Sequence, residues 1–248
     1  MAAKKSTISR ASNKCLATQY AEDVVAGKII ACRKVILACE RHLRDLERQK
    51  SDGYPWVFEE ELGHRPIAFM ERFCKPSQSN FSKIVLLPWQ HFVIGSLYGW
   101  VDKQTKFRRY KSGLIRVGRK NGKSTMVSGL SLFGCSKDGE HGARVYQLAN
   151  SMKQARVVFD ECQAMVKSSP DLKKHFRVLR DAIYFDATQS KIEPQASDSE
   201  KLDGLNCHLG IFDEIHEYKT YKLINVIKNS TGARRQPLII YITTAGYQ

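Results

Sequence analysis

The stretch VGRKNGKST at 117–125 contains the residue types that hold a polyphosphate. A short apolar run, GLIRV at 113–117, leads into it, and a helix-like stretch opens at Lys123. A strand running through a loop into a helix turns backbone N–H groups and the positive helix end toward an anion. Gly122 lets the backbone approach closely, Lys123 would contact the β- and γ-phosphates, and Ser124 would offer its hydroxyl to Mg²⁺. The common pattern places Gly five residues before the Gly of Gly-Lys. Here Val117 stands there, with Gly118 one place late. Three readings are open on these residues alone: a damaged site, a chance match, or a specialised loop.

A second stretch carries complementary chemistry. HLGIFDEIHE at 208–217 is an apolar run ending in Asp213 and Glu214. An acid at the end of a core strand can hold a Mg²⁺–water shell, and the next Glu has the reach to take a proton from an attacking water. The bland alternative is an acidic strand-to-loop transition. LLPWQ at 86–90 places Gln90 before the loop, with an amide donor and acceptor able to pair with the edge of adenine. A Gln after Pro-Trp carries little by itself. IIYITTAG at 239–246 ends a buried strand in Thr243 and Thr244, where a hydroxyl could sense the γ-phosphate or simply cap the strand.

Regular elements must bring these residues together. Val25, Ile29, Cys32, Ile36, Cys39, Leu43 and Leu46 form a helical stripe over 20–49, broken or bent at Gly27, with RHLRDLERQK reading as a solvated face. SDGYP at 51–55 is a turn, and RPIAFMERFC at 65–74 reads as a helix with Pro in its first turn. From residue 112 short apolar runs (GLIRV, ARVYQLA, CHLGIF, PLIIYIT) alternate with helix-like stretches at 123–135 and 151–168. That alternation predicts an α/β domain with a largely parallel sheet. AIYFDATQSKIEP at 182–194 reads as a hairpin. The predicted division is a helical N-terminal region over 1–85, with a loose basic start, and a phosphate-loop core over 86–248.

Net charge is +15, which favours an anionic partner: nucleic acid first, an anionic membrane second, or a merely solubilising surface. The seven cysteines are scattered without a C-x-x-C pair, which argues against a zinc site or redox pair and for a reducing compartment. No apolar run is long enough to span a membrane, and MAAKKSTISR lacks the apolar core of a secretory signal.

Taken in order, PWQ, GRKNGKST, ANSMKQA, GLNCHLGIFDEIHE and TTAG resemble the ATPase domain of tailed-phage terminase large subunits, over roughly residues 20–248. The resemblance implies a P-loop NTPase core of the additional-strand, catalytic-glutamate type, flanked by helices. It implies ATP as substrate with Mg²⁺, and it makes the odd loop a specialised one, because that family lacks the first Gly and carries an Arg inside the loop. By motif, Gln90 looks like the adenine reader. Arg119, Lys120, Asn121, Gly122, Lys123, Ser124 and Thr125 look like the nucleotide cradle, with Arg119 as a cis sensor of the γ-phosphate. Ser124 and Asp213 look like the metal contacts, Glu214 like the catalytic base, and Thr243 and Thr244 like the coupling motif. Implied partners are double-stranded DNA, a terminase small subunit and the capsid portal. The chain would act as a homo-oligomeric ring on the procapsid, or as a monomer alone, in the host cytoplasm and away from membranes. The expected nuclease domain would lie in a longer chain, beyond Gln248.

One departure is visible: where many relatives place an Arg before the Gly leading to the acidic strand, this chain has Asp203. Lys201 and Arg156 are candidates for a cation acting on a neighbouring subunit. His216 sits where DEAH-type helicases carry a His, and a structural role is equally open. From Lys103 to Lys137 there are ten cations and no acid, and Lys103, Lys106, Arg108, Arg109 and Lys111 read as free for an anion such as the DNA backbone, or as a solvated loop. Two rivals stay in view: a DEAH-like helicase or translocase, and a non-catalytic basic DNA-binding scaffold with a vestigial nucleotide site.

Overall fold

The computed structural model describes residues 15–77, 83–197 and 204–244. The stripe over 20–49 resolves into two helices, α1 (Leu16–Val25) and α2 (Arg33–Arg48). Gly27, at φ +75°, turns the chain between them in a conformation that L side chains rarely adopt. Strand β1 (Trp56–Phe58) follows, then helix α3 (Glu60–Phe73). That helix begins a full turn before its sequence signature suggested. Pro66 therefore lies inside it rather than in its first turn. Helix α4 (Pro88–Gly99) starts with Pro at its first position, where no backbone donor is needed, and runs into β2 (Trp100–Asp102), which pairs antiparallel with β1.

The core begins at β3 (Ser112–Arg116) and continues through helix α5 (Lys123–Ser136), β4 (Arg144–Ala149), α6 (Met152–Ser168) and the short α7 (Pro170–Lys173). Then come β5 (Arg177–Val178), β6 (Ile183–Phe185), β7 (Ser190–Ala196), β8 (Leu209–Phe212), α8 (Lys222–Asn229) and β9 (Leu238–Thr243). The seven-stranded sheet has the order β3-β9-β8-β4-β7-β6-β5. Strands β3, β9, β8, β4 and β7 are parallel; β6 and β5 extend the sheet antiparallel, with β6 and β7 forming the hairpin read from 182–194.

The strands alternate between two cores with period two, as side chains on a pleated strand must. Leu209, Ile211, Ile240 and Ile242 face the α3/α5/α6 side, while Phe212 and Ile239 face Leu223, Ile224 and Ile227 of α8. Helix α5 is buried nearly throughout, and Gly129 brings its backbone against Met70 of α3, where an added Cβ would stand 2.6 Å from the Met sulfur. Helices α3 and α4 thus share one continuous core with the sheet, while α1 and α2 pack with Phe92 of α4 in a cluster of their own.

Two sequence readings need correction here. The polar end of α2 is not simply a solvated face. His42 and Asp45 are 2% and 1% exposed. His42 Nδ1 accepts the Trp100 indole N–H at 3.0 Å, and Asp45 accepts from Arg109 at 2.8 Å. Nor are the cations of 103–111 free as a group. Arg108 pairs with Asp138 at 2.5 Å inside the protein, Arg109 packs against Trp56, Trp100 and Tyr110, Lys106 meets Glu59 at 2.8 Å, and Lys103 donates to the Ser51 carbonyl at 2.8 Å. Acids and rings distant in sequence claim these charges. Lys103 meets only a backbone carbonyl, and Lys111 has no partner for its ammonium among the described residues.

Burial lowers the His42 pKa to about 4, against the opposing pull of Asp45. The folded protein then binds fewer protons than the unfolded chain between about pH 4 and the ordinary value of 6.5, so this group's contribution is complete above pH 6.5 and is lost as pH falls toward 4. Denaturant unfolding of wild type at pH 7 and pH 5 should therefore differ by about 2 kcal/mol more than unfolding of His42→Asn does. Parallel pH profiles for the two proteins would show that His42 titrates normally.

Candidate active site

The phosphate-loop residues lie where β3 gives way to α5. Arg116 ends the strand and Lys123 opens the helix. Between them Lys120 (φ +62°) and Gly122 (φ +71°) take left-handed conformations, and Gly122 sits immediately before the first helical residue. Asn121 Nδ2 braces the turn by donating to the carbonyls of Gly118 (3.2 Å) and Arg119 (3.1 Å). Lys123 is 8% exposed; its ammonium donates to the Val117 carbonyl at 3.4 Å and stands 3.9 Å from Glu214 Oε1. Ser124 and Thr125 are half-buried in the first turn of α5, while Arg119, Lys120 and Asn121 are exposed. The Arg119 guanidinium has no hydrogen bond or ion pair among the described residues, so it is free to reach a ligand.

Strand β8 delivers the acidic pair beside this loop. Asp213 still follows the sheet, its N–H donating to Leu148 at 2.8 Å, and its carboxylate accepts the Glu214 N–H at 2.9 Å. Burial, with the neighbouring Glu214 charge second, raises the Asp213 pKa to about 6. Glu214 leaves the strand in a left-handed conformation (φ +45°, ψ 56°), uncommon for a residue with a Cβ. Its Oε2 accepts the Thr244 N–H at 3.0 Å and the Thr244 hydroxyl at 3.3 Å. Thr243 ends β9 and accepts the Val117 N–H on its carbonyl at 3.2 Å. The C-terminal ends of β3, β8 and β9 thus bring Lys123, Asp213, Glu214, Thr243 and Thr244 together, at the edge of a parallel sheet where ligand crevices form.

Gln90 joins this group from α4. It is 4% exposed, its Oε1 accepts the Leu87 N–H at 2.8 Å, and its Nε2 lies 3.4 Å from where a Cβ on Gly122 would stand. Its amide nitrogen faces the loop while its oxygen caps a helix. Arg156 lies on α6 and is paired with Asp181. Lys201 and Asp203 fall outside the described residues. Two local connections had no signal in the sequence: the 2.6 Å contact of His216 Nδ1 with Thr243 Oγ1, and the hydrogen bond from Gln154 of α6 to Glu217. Both depend on which strands are neighbours, which spacing alone does not reveal.

A Mg²⁺ ion tends to take only one or two protein oxygens and keep waters and phosphate oxygens as its other ligands. The residues present fit that demand. Ser124 in the first turn of α5 and Asp213 at the end of β8 are both half-buried and offer one hydroxyl and one carboxylate, with the Asp213 pKa raised to about 6 by burial and then by the Glu214 charge. No group of three or more His, Cys, Asp or Glu side chains suited to enclosing a metal occurs among the described residues.

The family model described as terminase large subunit, ATPase domain, matches residues 88–248. The terminase large subunit of Lactococcus phage p2 is 28% identical over 213 residues, covering 82% of this chain and 39% of that protein. The corresponding protein of Enterobacteria phage HK97 is 26% identical over 189 residues, covering 73% of this chain and 36% of the relative. The crystal structure of the HK97 large terminase superimposes with a TM-score of 0.64 at 24% identity, over 73% of this chain and 37% of that one, a likeness of fold. The chain therefore spans well under half the length of these relatives. With the family model covering the whole segment from α4 through β9, the chain belongs to the terminase large subunit ATPase domain family.

Proposed function

We propose that this domain binds and hydrolyses ATP with Mg²⁺, and that the protein to which it belongs uses the energy to drive double-stranded DNA into a procapsid. The observation that carries the reading is the meeting of Lys123 and Glu214, 3.9 Å apart, at the ends of parallel strands. A cation that would hold the terminal phosphates and a carboxylate that would accept a water proton then face one space. Ser124 and Asp213 would hold the Mg²⁺, which when bound supplies charge neutralisation on the phosphate oxygens. The exposed Arg119, Lys120 and Asn121 would close over the triphosphate, with Gly122 and Thr125 lining it. Gln90 would present its amide nitrogen to the base, and its oxygen, which accepts one hydrogen bond from Leu87, keeps a second lone pair for an adenine donor. Thr243 and Thr244 would carry the change at Glu214 into the sheet.

The net charge of +15 supports a polyanionic track, and contacts to phosphates alone suit a motor indifferent to sequence. A homo-oligomeric ring docked on the capsid portal, supplied with DNA by a small subunit in the host cytoplasm, is the assembly this reading entails. ATP turnover measured with and without double-stranded DNA tests it. Stimulated turnover without strand separation is expected. Unwinding of a tailed duplex would favour a helicase, and absence of turnover a scaffold.

Arg119 supplies a finer test. Its planar guanidinium can bridge two γ-phosphate oxygens as charge develops, which the point charge of Lys imitates poorly. Arg119→Lys, measured in the full-length subunit with DNA and prohead, should lower turnover about tenfold and leave ADP affinity nearly unchanged. Equal weakening of ATP and ADP would mean that Arg119 only shapes the loop.

A further inference from the structure

Thr243 is held from two sides. Its carbonyl accepts the Val117 N–H at 3.2 Å, which ties β9 to the start of the phosphate loop. Its hydroxyl lies 3.3 Å from the Thr244 carbonyl and 2.6 Å from His216 Nδ1; when the hydroxyl donates to the carbonyl, the Nδ1–H tautomer of His216 donates to Thr243. The same Nδ1 lies 3.4 Å from Glu214 Oε2. That oxygen already accepts from the Thr244 N–H and hydroxyl, so three groups converge on it. Lys123 completes a circuit by reaching both the Val117 carbonyl and Glu214 Oε1. His216 itself is 47% exposed, so its ring has room to swing.

We propose that His216 is a positioning residue. It ties the Glu214 carboxylate to the end of β9 and, through Thr243, to the phosphate loop, and so holds the base in reserve until the loop is filled. The proposal rests on the reading of Glu214 as the general base. Two donors from Thr244 fill the acceptor sites of Glu214 Oε2, so the oxygen left for a water is Oε1, which stands 3.9 Å from the Lys123 ammonium. By fixing Oε2 on the β9 side, these contacts and His216 keep Oε1 against that charge until it moves. A triphosphate on the loop would draw Lys123 away from Val117 and Glu214, and Val117 is bonded directly to Thr243. Filling the loop therefore disturbs the contact that His216 makes.

The test uses the 248-residue protein. His216→Ala should raise DNA-free ATP turnover about threefold, the low end of one net hydrogen bond, with ATP-analogue affinity unchanged. His216→Asn, whose amide nitrogen can stand near the place of Nδ1, should return turnover toward wild type. Thr243→Val should match His216→Ala, and the double variant should go no further than either single change. Independent multiplication of the two effects, or a loss of turnover from His216→Ala that the Asn variant does not repair, would overturn the proposal. A second readout needs no turnover. The ¹⁵N resonance of His216 Nδ1 should move when a magnesium complex of a non-hydrolysable ATP analogue is added, and also in Thr243→Val. A resonance indifferent to both would overturn the contact. Absence of turnover in wild type would instead sink the reading of Glu214, while the resonance still decides whether the link exists.

Discussion

Glu214→Gln is expected to lower ATP turnover by about 10²-fold or more while leaving ATP-analogue affinity close to wild type. Glutamine keeps the length of the side chain, and its carbonyl oxygen can still accept from the Thr244 N–H, which Glu214 Oε2 does now at 3.0 Å. What it loses is the ability to take a proton. The charge change also relaxes its neighbours. Asp213, raised to about 6 by burial and then by the Glu214 charge, would lose the second of these causes and ionise more readily. Lys123, 3.9 Å from Glu214, would lose a competing anion and be freer to meet a phosphate. Both side effects favour nucleotide binding, so a binding defect cannot be attributed to them. Titration of a non-hydrolysable analogue beside a steady-state turnover assay separates the outcomes. Equal loss of affinity and turnover would make Glu214 a structural acid and place the base elsewhere.

The parts of this site that were legible in sequence are those fixed by local order. A run of β-type residues, a loop with Gly-Lys-Ser and a helix-like stretch place Lys123 at the start of α5 without reference to the rest of the molecule. The apolar run before Asp213 does the same for β8. What local order could not supply was adjacency. Strands β3 and β9 pair over Ser112–Arg116 and Ile239–Thr243, far apart in the chain, and only that pairing places Thr243 against Val117. The link from His216 to Thr243 follows from the same adjacency. The cations before β3 misled for a related reason. A run without acids looks free, yet Asp45, Glu59 and Asp138 reach it from three other segments. His42 and Asp45 were hidden by the mixed charges around them, since a helix can bury two polar groups when a Trp N–H and an Arg arrive to satisfy them. Gln90 shows the limit from another side. Its position beside Gly122 agrees with a nucleotide role, but its use as the cap of α4 belongs to the helix start that the sequence presents as Pro-Trp-Gln.

Lys123→Ala is expected to weaken binding of the triphosphate by about 10²-fold, the loss of one or two charge-assisted hydrogen bonds to phosphate oxygens. The fold should survive the change. Lys123 is the first residue of α5, Ala is a strong helix former, and the hydrogen bond lost in the empty protein is a long one, 3.4 Å to the Val117 carbonyl. The larger consequence for the empty site is electrostatic. Lys123 is the cation nearest the Asp213–Glu214 pair, and it is one of the influences that hold the Asp213 pKa down against burial. Without it the two carboxylates repel more strongly, so Asp213 should bind its proton to a still higher pH. The folded state then binds more protons than the unfolded chain over a wider range above the ordinary carboxylate value, and stability falls as pH rises through it. Calorimetric titration of a magnesium–ATP analogue at pH 8, paired with thermal unfolding at pH 5 and pH 8, reads both effects. The expected result is lost affinity, a near wild-type midpoint at pH 5 and a lowered one at pH 8. Affinity equal to wild type would remove Lys123 from the phosphate site and, with it, the assignment of residues 117–125 as a nucleotide loop. A midpoint lowered equally at both pH values would show instead that the buried stem of Lys123 is needed for packing.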